Sequence, residues 1–195
     1  MNIGVLTLIV GAYLLGSLNA AAAVARSRGI DIYSFGSGNP GASNVYRAAG
    51  KGAAIVVYLA DLLKGLLPAL IGVLVFDRTV ALAAGLSAVL GHCYPIFYKF
   101  RGGKGVATGG GVVLAVMPQI LIVLTPVYIV MVALTRISSV GSLVALMVSV
   151  PAAALAGVRG WGLGWFGATI LLIVYRHRSN IARLIGGSEH KVVTG

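Results

Sequence analysis

Three short polar blocks interrupt an otherwise apolar chain, and each carries residues suited to gripping an anion. The first is "FGSGNPGASNVYRAAGKG", Phe35 to Gly52, where Ser37, Asn39, Ser43, Asn44, Arg47 and Lys51 stand among Gly36, Gly38 and Gly41. Small hydroxyl and amide side chains, exposed backbone N–H groups and a guanidinium together make a phosphate grip. Asn39 before Pro40 marks a helix start. The second block is "GHCYPIFYKFRGGKGVATGGG", Gly91 to Gly111. Its glycines let amides approach an anion and form a concave nest, and Lys104 adds a mobile charge. It is not a nucleotide-hydrolysing P-loop, because Tyr98 and Gly105 occupy positions where that pattern needs Gly and Ser or Thr. The third is "YRHRSNIARLIGGSEHK", in which His177, Asn180 and Arg183 fall on one helical face, with Glu189 beyond them.

Each block also has a plainer reading. A Gly/Ser/Asn loop is ordinary, Gly109 to Gly111 suit close helix packing, and a basic segment after a span rests on anionic lipid. No His, Cys, Asp or Glu spacing matches a metal site, so neither metal nor cofactor is expected. Cys93, the single cysteine, excludes an internal disulfide.

The elements that position these blocks must be membrane helices. Of 195 residues, 58% are hydrophobic and 10% charged, and the mean hydropathy is +0.98. That leaves too little polar surface for a water-soluble globule, which carries ~25% charged residues. The net charge of +11 is explained in part by cations held in cytoplasmic loops, and the excess suits anionic lipid or an anionic substrate rather than nucleic acid. Met1 to Ala25 lacks a basic leading segment and reads as a first span, Ile3 to Ala25. A loop from Arg26 to Gly52 precedes spans over Ala53 to Phe76 and Val80 to Tyr98. The apolar stretch Val106 to Leu134, broken by Pro118 and Pro126, makes ~45 Å if continuous helix. Two short helices turning near Met117 put the basic segments on one side, as the positive-inside rule asks. Val140 to Gly157 and Trp161 to Tyr175 complete an all-α, single-domain bundle of seven transmembrane helices over residues 1–195, N-terminus outside and C-terminus cytoplasmic. Within the second span Asp61 and Lys64, at i and i+3, form a salt bridge or lend charge to an entering anion. Ser139 and Ser142 add hydroxyls at a helix start.

Taken together, "GSGNPGASN..R" (Gly36 to Arg47), "GH.YP.F..F.GGKGVAT" (Gly91 to Thr108), "HRSNI.RL..G.E.K" (His177 to Lys191) and "DLLKG" (Asp61 to Gly65) resemble the bacterial acyl-phosphate:glycerol-3-phosphate acyltransferase family. The resemblance covers essentially the whole chain, and Ser43 replaces the family's usual Thr while keeping the hydroxyl. It implies a multi-pass inner-membrane enzyme with its active site on the cytoplasmic face. Such an enzyme moves an acyl chain from acyl phosphate to the sn-1 hydroxyl of glycerol 3-phosphate, the first step of phospholipid synthesis. Separately, a monomer among membrane lipids is expected. No covalent nucleophile is needed, because acyl phosphate is already activated. The His-then-Asp dyad of other glycerolipid acyltransferases is absent, since Phe97 and Ala182 stand where its Asp would be.

On that reading Ser37, Asn39, Lys104 and the amides of Gly102 and Gly103 hold the donor headgroup. Ser43, Arg47, Asn180 and Arg183 orient glycerol 3-phosphate, and the base is His177 or a substrate phosphate. Asn44, Lys64, His92, Gly105, Thr108, Ser142 and Glu189 complete the expected substrate-binding set. The rival from another class is a small anion or phosphate transporter, whose broken helices would bind phosphate equally well.

Overall fold

The structure, a computed structural model, describes residues 2–192. Among them it contains α-helices and short 3₁₀ turns and no strand. The helices are α1 (Ile3–Gly16), α2 (Ala20–Arg26), α3 (Ala42–Val75), α4 (Arg78–Cys93), α5 (Val106–Val116), α6 (Leu121–Thr135), α7 (Ser138–Leu155), α8 (Gly160–Arg176) and α9 (Arg178–Ile185). Five stretches are long and apolar enough to cross a membrane: Ile3–Arg26, Ala42–Val75, Arg78–Tyr98, Pro118–Thr135 and Ser138–Leu155. α8, at 17 residues, and α5, at 11 residues, are shorter; α5 spans only ~16 Å.

Three boundaries depart from the sequence reading. The first apolar run is not one helix, because Ser17 ends α1 and the Asn19 side chain accepts the Ala22 N–H to start α2. An asparagine that offers its own acceptor to the backbone restarts a helix at little cost. The loop Arg26 to Gly52 is also shorter than expected, since α3 begins at Ala42 and bends at Gly50, where φ is +81°. Only glycine adopts that conformation freely, so the eight residues before it form a separate limb leading into the span. Finally, Pro118 does split Val106 to Leu134, but Pro126 lies inside α6 without ending it.

The short helix α5 sits at the centre of the bundle. Its buried residues Val112, Val113 and Val116 join Leu82, Met117, Leu124 and Phe166 in one apolar core. α5 crosses α3 so closely that a Cβ at Gly65 would lie 1.9 Å from the Thr108 carbonyl oxygen, and one at Gly111 2.0 Å from that of Leu62. Without side chains at those points, two backbones meet directly, the small-residue packing that membrane interiors favour. This crossing fixes the height and rotation of α5, and therefore of the glycine-lysine loop that leads into it.

Candidate active site

The three polar blocks converge on one cavity of about 530 Å³. The first block contributes Ser37, Asn39, Ser43 and Arg47, and the second contributes His92, Lys104 and Gly105. From α7 come Ser138, Ser139 and Ser142, and from the chain's last segment His177, Asn180 and Glu189. A second cavity, of about 310 Å³, adjoins it and shares Ser37, Asn39 and Lys104. Its lining carries five cations, Arg101, Lys104, Arg176, Arg178 and Arg183, and no carboxylate among its described residues.

The backbone adds to this positive field. The N-caps of α3, α5 and α7 are Gly41, Gly105 and Ile137, and none supplies a side-chain hydrogen bond to its helix. All three helices bring first-turn residues, Ala42, Val106 and Ser138, to the cavity wall. Each start leaves amide groups unpaired and a partial positive charge equivalent to roughly half an electron. Three such ends around one space make a site for anions.

The rest of the first cavity is mostly apolar, with Asp61, Thr125, Ser149 and Thr169 also on its wall. Leu124, Leu146, Phe166 and Ile170 line it, and it reaches Tyr58 and Ile129, which are also exposed on the lipid-facing side. Gly109 and Gly110 form part of the wall, and a Cβ at Gly110 would meet nothing within 4 Å. The space is therefore amphipathic: a cationic head joined to a greasy arm open to the side.

Burial decides the protonation of two groups at the head. Lys104 loses water on entering the site, and nearby Arg183, Arg47 and Arg176 repel its charge while Glu189 attracts it; its pKa falls to about 8. His177 is buried, and its Nδ1 lies 2.7 Å from the Ile173 carbonyl oxygen. Desolvation, aided by Lys104 and Arg176, lowers its pKa to about 4. A neutral ring must donate from Nδ1 to that carbonyl, which leaves Nε2 as an acceptor. Glu189 is desolvated too, but hydrogen bonds from Asn180, Arg183 and Ser139 outweigh this and hold its carboxyl below the usual range. Because the Asn180 amide nitrogen is given to Glu189, its Oδ1 remains a buried acceptor with no partner.

Several expected ligands have other occupations. Asn44 accepts from the Ser37 N–H and Arg47 and donates to the Ile32 and Phe35 carbonyls, so its amide is spent holding the first loop in shape. Lys64 lines neither cavity and pairs with Asp61 at 2.6 Å, the salt bridge its i, i+3 spacing allows. Asp61 also lies 3.5 Å from His92 Nδ1. Thr108 faces α3 at Gly65, away from both cavities. The Gly103 N–H donates to the His92 carbonyl rather than standing free, and Cβ atoms at Gly102 and Gly103 would collide with His92. Both glycines admit a close turn against α4; the Gly103 amide is spent there, Gly102 lines the basic cavity, and further amides without a backbone partner follow at the start of α5. Of the glycine triplet, Gly111 is the packing residue, and Gly109 and Gly110 are wall.

Ser139 and Ser142 reach the cavity as their place at a helix start suggests, whereas Arg176 is a site residue that the sequence does not mark as a ligand. Arg176 looks in sequence like any juxtamembrane cation, and nothing local reveals that its guanidinium reaches 73 residues back to the Gly103 carbonyl.

A family model described as glycerol-3-phosphate acyltransferase matches residues 6–187. A glycerol-3-phosphate acyltransferase of Aquifex aeolicus is 43% identical over 191 residues, covering 95% of this chain and 98% of its own. One from Shewanella sediminis is 43% identical over 201 residues, covering 98% of this chain and 97% of its own. Among solved structures, the glycerol 3-phosphate form of PlsY, an integral membrane glycerol 3-phosphate acyltransferase, superposes with a TM-score of 0.95 at 41% identity, covering 98% of this chain and 96% of that one. The lysophosphatidic acid form of PlsY gives 0.91 at 42% identity, covering 96% and 95%. With the family model matching residues 6–187 and near-complete coverage on both sides, this multi-pass membrane chain belongs to the glycerol-3-phosphate acyltransferase family.

Proposed function

We propose that the protein transfers an acyl group from acyl phosphate to the sn-1 hydroxyl of glycerol 3-phosphate, releasing lysophosphatidate and inorganic phosphate. The observation that carries this is the pair of joined cavities sharing Ser37, Asn39 and Lys104, one basic throughout and the other basic at its head and apolar beyond. Two phosphates can be held side by side while one acyl chain lies in the greasy arm. The PlsY structures with glycerol 3-phosphate and lysophosphatidic acid support the acceptor and the product.

The hydroxyl oxygen attacks the acyl carbonyl carbon, the bond from that carbon to the phosphate oxygen breaks, and the hydroxyl proton passes to the departing phosphate. Lys104 and the amides at the start of α5 neutralise charge growing on the leaving group. Arg47 and Arg183 grip the acceptor's phosphate, and the free Oδ1 of Asn180 accepts from its glycerol hydroxyls. With a pKa of about 4, His177 is a poor match for removing a proton near neutrality. Its Nε2 orients the hydroxyl, and a substrate phosphate, with a second pKa near ~6, receives the proton. Cys93 is buried and lines neither cavity, in keeping with direct transfer.

In the membrane we read seven spans: α1 with α2, α3, α4, α5, α6, α7 and α8, as one domain. The N-terminus is outside, and the site faces the cytoplasm in the bacterial inner membrane. Arg47, Lys104, Arg136, Arg176 and Arg183 then share the inner face, with Arg78 and Arg159 opposite. We take the enzyme to be a monomer.

The test is transfer to glycerol 3-phosphate by purified protein offered palmitoyl phosphate, palmitoyl-CoA or palmitoyl-acyl carrier protein. Product from palmitoyl phosphate alone is expected. Product only from the thioesters would overturn the donor.

A further inference from the structure

The glycine-lysine loop binds phosphate only if its amides point the right way, and Gly102 and Gly103 cannot enforce this themselves. Glycine leaves both φ signs open. Arg176, at the end of α8, supplies the constraint. Its Nε donates to the Gly103 carbonyl at 3.0 Å and a terminal NH₂ donates to the Gly102 carbonyl at 2.7 Å. The guanidinium lies over the Tyr94 ring, 5.0 Å from its centre. Tyr94 is in turn tied to α1, since the Tyr13 hydroxyl donates to its carbonyl at 2.8 Å.

A trans peptide points its N–H opposite to its C=O. Holding the Gly102 carbonyl therefore aims the Gly103 N–H at the His92 carbonyl, which accepts it at 3.1 Å. Holding the Gly103 carbonyl turns the Lys104 N–H away from Arg176. No backbone acceptor among the described residues takes that N–H. It is the first of the amides that run on into the open start of α5.

We propose that Arg176 is a positioning residue. Its fork on the two glycine carbonyls sets the peptide orientation that turns the Lys104 amide and the first turn of α5 into a phosphate nest. The inference rests on the proposed function only in taking a phosphate group as the anion bound. Arg176 also lines the basic cavity, so its charge and its fork must be separated. Lysine keeps the charge but cannot make two fixed parallel bonds or stack flat on a ring.

The experiment measures the affinity of the purified full-length protein for inorganic phosphate, and the KM for glycerol 3-phosphate, in Arg176→Lys and Arg176→Gln. Thermal unfolding monitors the fold. Both variants are expected to weaken phosphate binding at least about tenfold, the scale of lost charge-assisted hydrogen bonds. Arg176→Lys should rescue little. If Arg176→Lys stays within about threefold of the parent, the size of a lost exposed charge contact, Arg176 acts by charge alone and the proposal fails. If Arg176→Lys does not fold, Tyr94→Leu, which removes the ring under the guanidinium, takes its place. Weakened phosphate binding supports the fork, and unchanged binding overturns it. Phosphate affinity is read without an acyl donor, so a wrong donor assignment would leave this test intact.

Discussion

His177 Nδ1 faces the Ile173 carbonyl oxygen at 2.7 Å, one helical turn back along the same chain. That contact fixes which nitrogen carries the proton and commits the other to the cavity. With its pKa lowered to about 4, His177 is neutral near neutral pH. The acid limb of kcat/KM should therefore follow the second ionisation of the substrate phosphates, near pH ~6. His177→Asn should lower kcat by roughly 10- to 100-fold, below the full range of general-base loss, and leave that limb in place. A limb abolished by the substitution would make His177 the obligatory base.

Lys104 titrates in the opposite sense for activity and for stability. In the free enzyme its charge is lost as pH rises through about 8, so kcat/KM for glycerol 3-phosphate should fall across that value. The folded state holds this proton less tightly than the unfolded chain does, so unfolding takes up a proton between pH 8 and the ordinary lysine value of 10.5. Stability should then rise with pH in the same window. Lys104→Met should abolish both trends, with most activity lost. Parallel pH profiles of turnover and thermal unfolding provide the check.

Gly110 offers a way to fill the acyl arm without disturbing the bundle. A Cβ there would meet nothing within 4 Å, and Gly110 lines the cavity. Gly110→Leu should fold as well as the parent or better, since leucine exceeds glycine in helix propensity by nearly 1 kcal/mol. Its activity with palmitoyl phosphate should drop by at least about tenfold, because one blocked buried contact costs that much, and shorter donors should recover part of it. Gly111→Leu should fail to fold, because a Cβ there lies 2.0 Å from a backbone carbonyl.

Asp61 is 3% exposed and depends on Lys64 for its nearest counter-charge. Lys64→Met leaves a carboxylate in the bundle with His92 alone beside it, and should cost ~3–5 kcal/mol. Combining it with Asp61→Asn should restore much of the loss. Thermal unfolding of the two singles and the double, read as a cycle, tests this coupling.

Composition and motif spacing were enough to read an all-helical membrane protein with three polar blocks meeting at one site. Pro118 and the charge distribution were enough to split Val106 to Leu134. Three things were hidden. Asn19 restarts a helix inside an apolar run, a matter of one side chain's hydrogen bond rather than of hydropathy. A nest and a tight turn require the same residue type, and only the His92 carbonyl shows that the Gly103 amide serves the turn. Arg176 acts across 73 residues, a distance at which sequence carries no geometric signal.

The greasy arm opens sideways past Tyr58 and Ile129, while the basic cavity carries no apolar channel of its own. On the proposed function, the two reactants arrive from phases of different dimension. The acceptor would be counted in molecules per volume of the aqueous phase, and an acyl phosphate donor in molecules per area of bilayer. Diluting the membrane with inert lipid should slow the reaction at constant total donor, whereas diluting the suspension with buffer at constant acceptor concentration should not. On that reading a Michaelis constant for the donor has meaning only as a mole fraction.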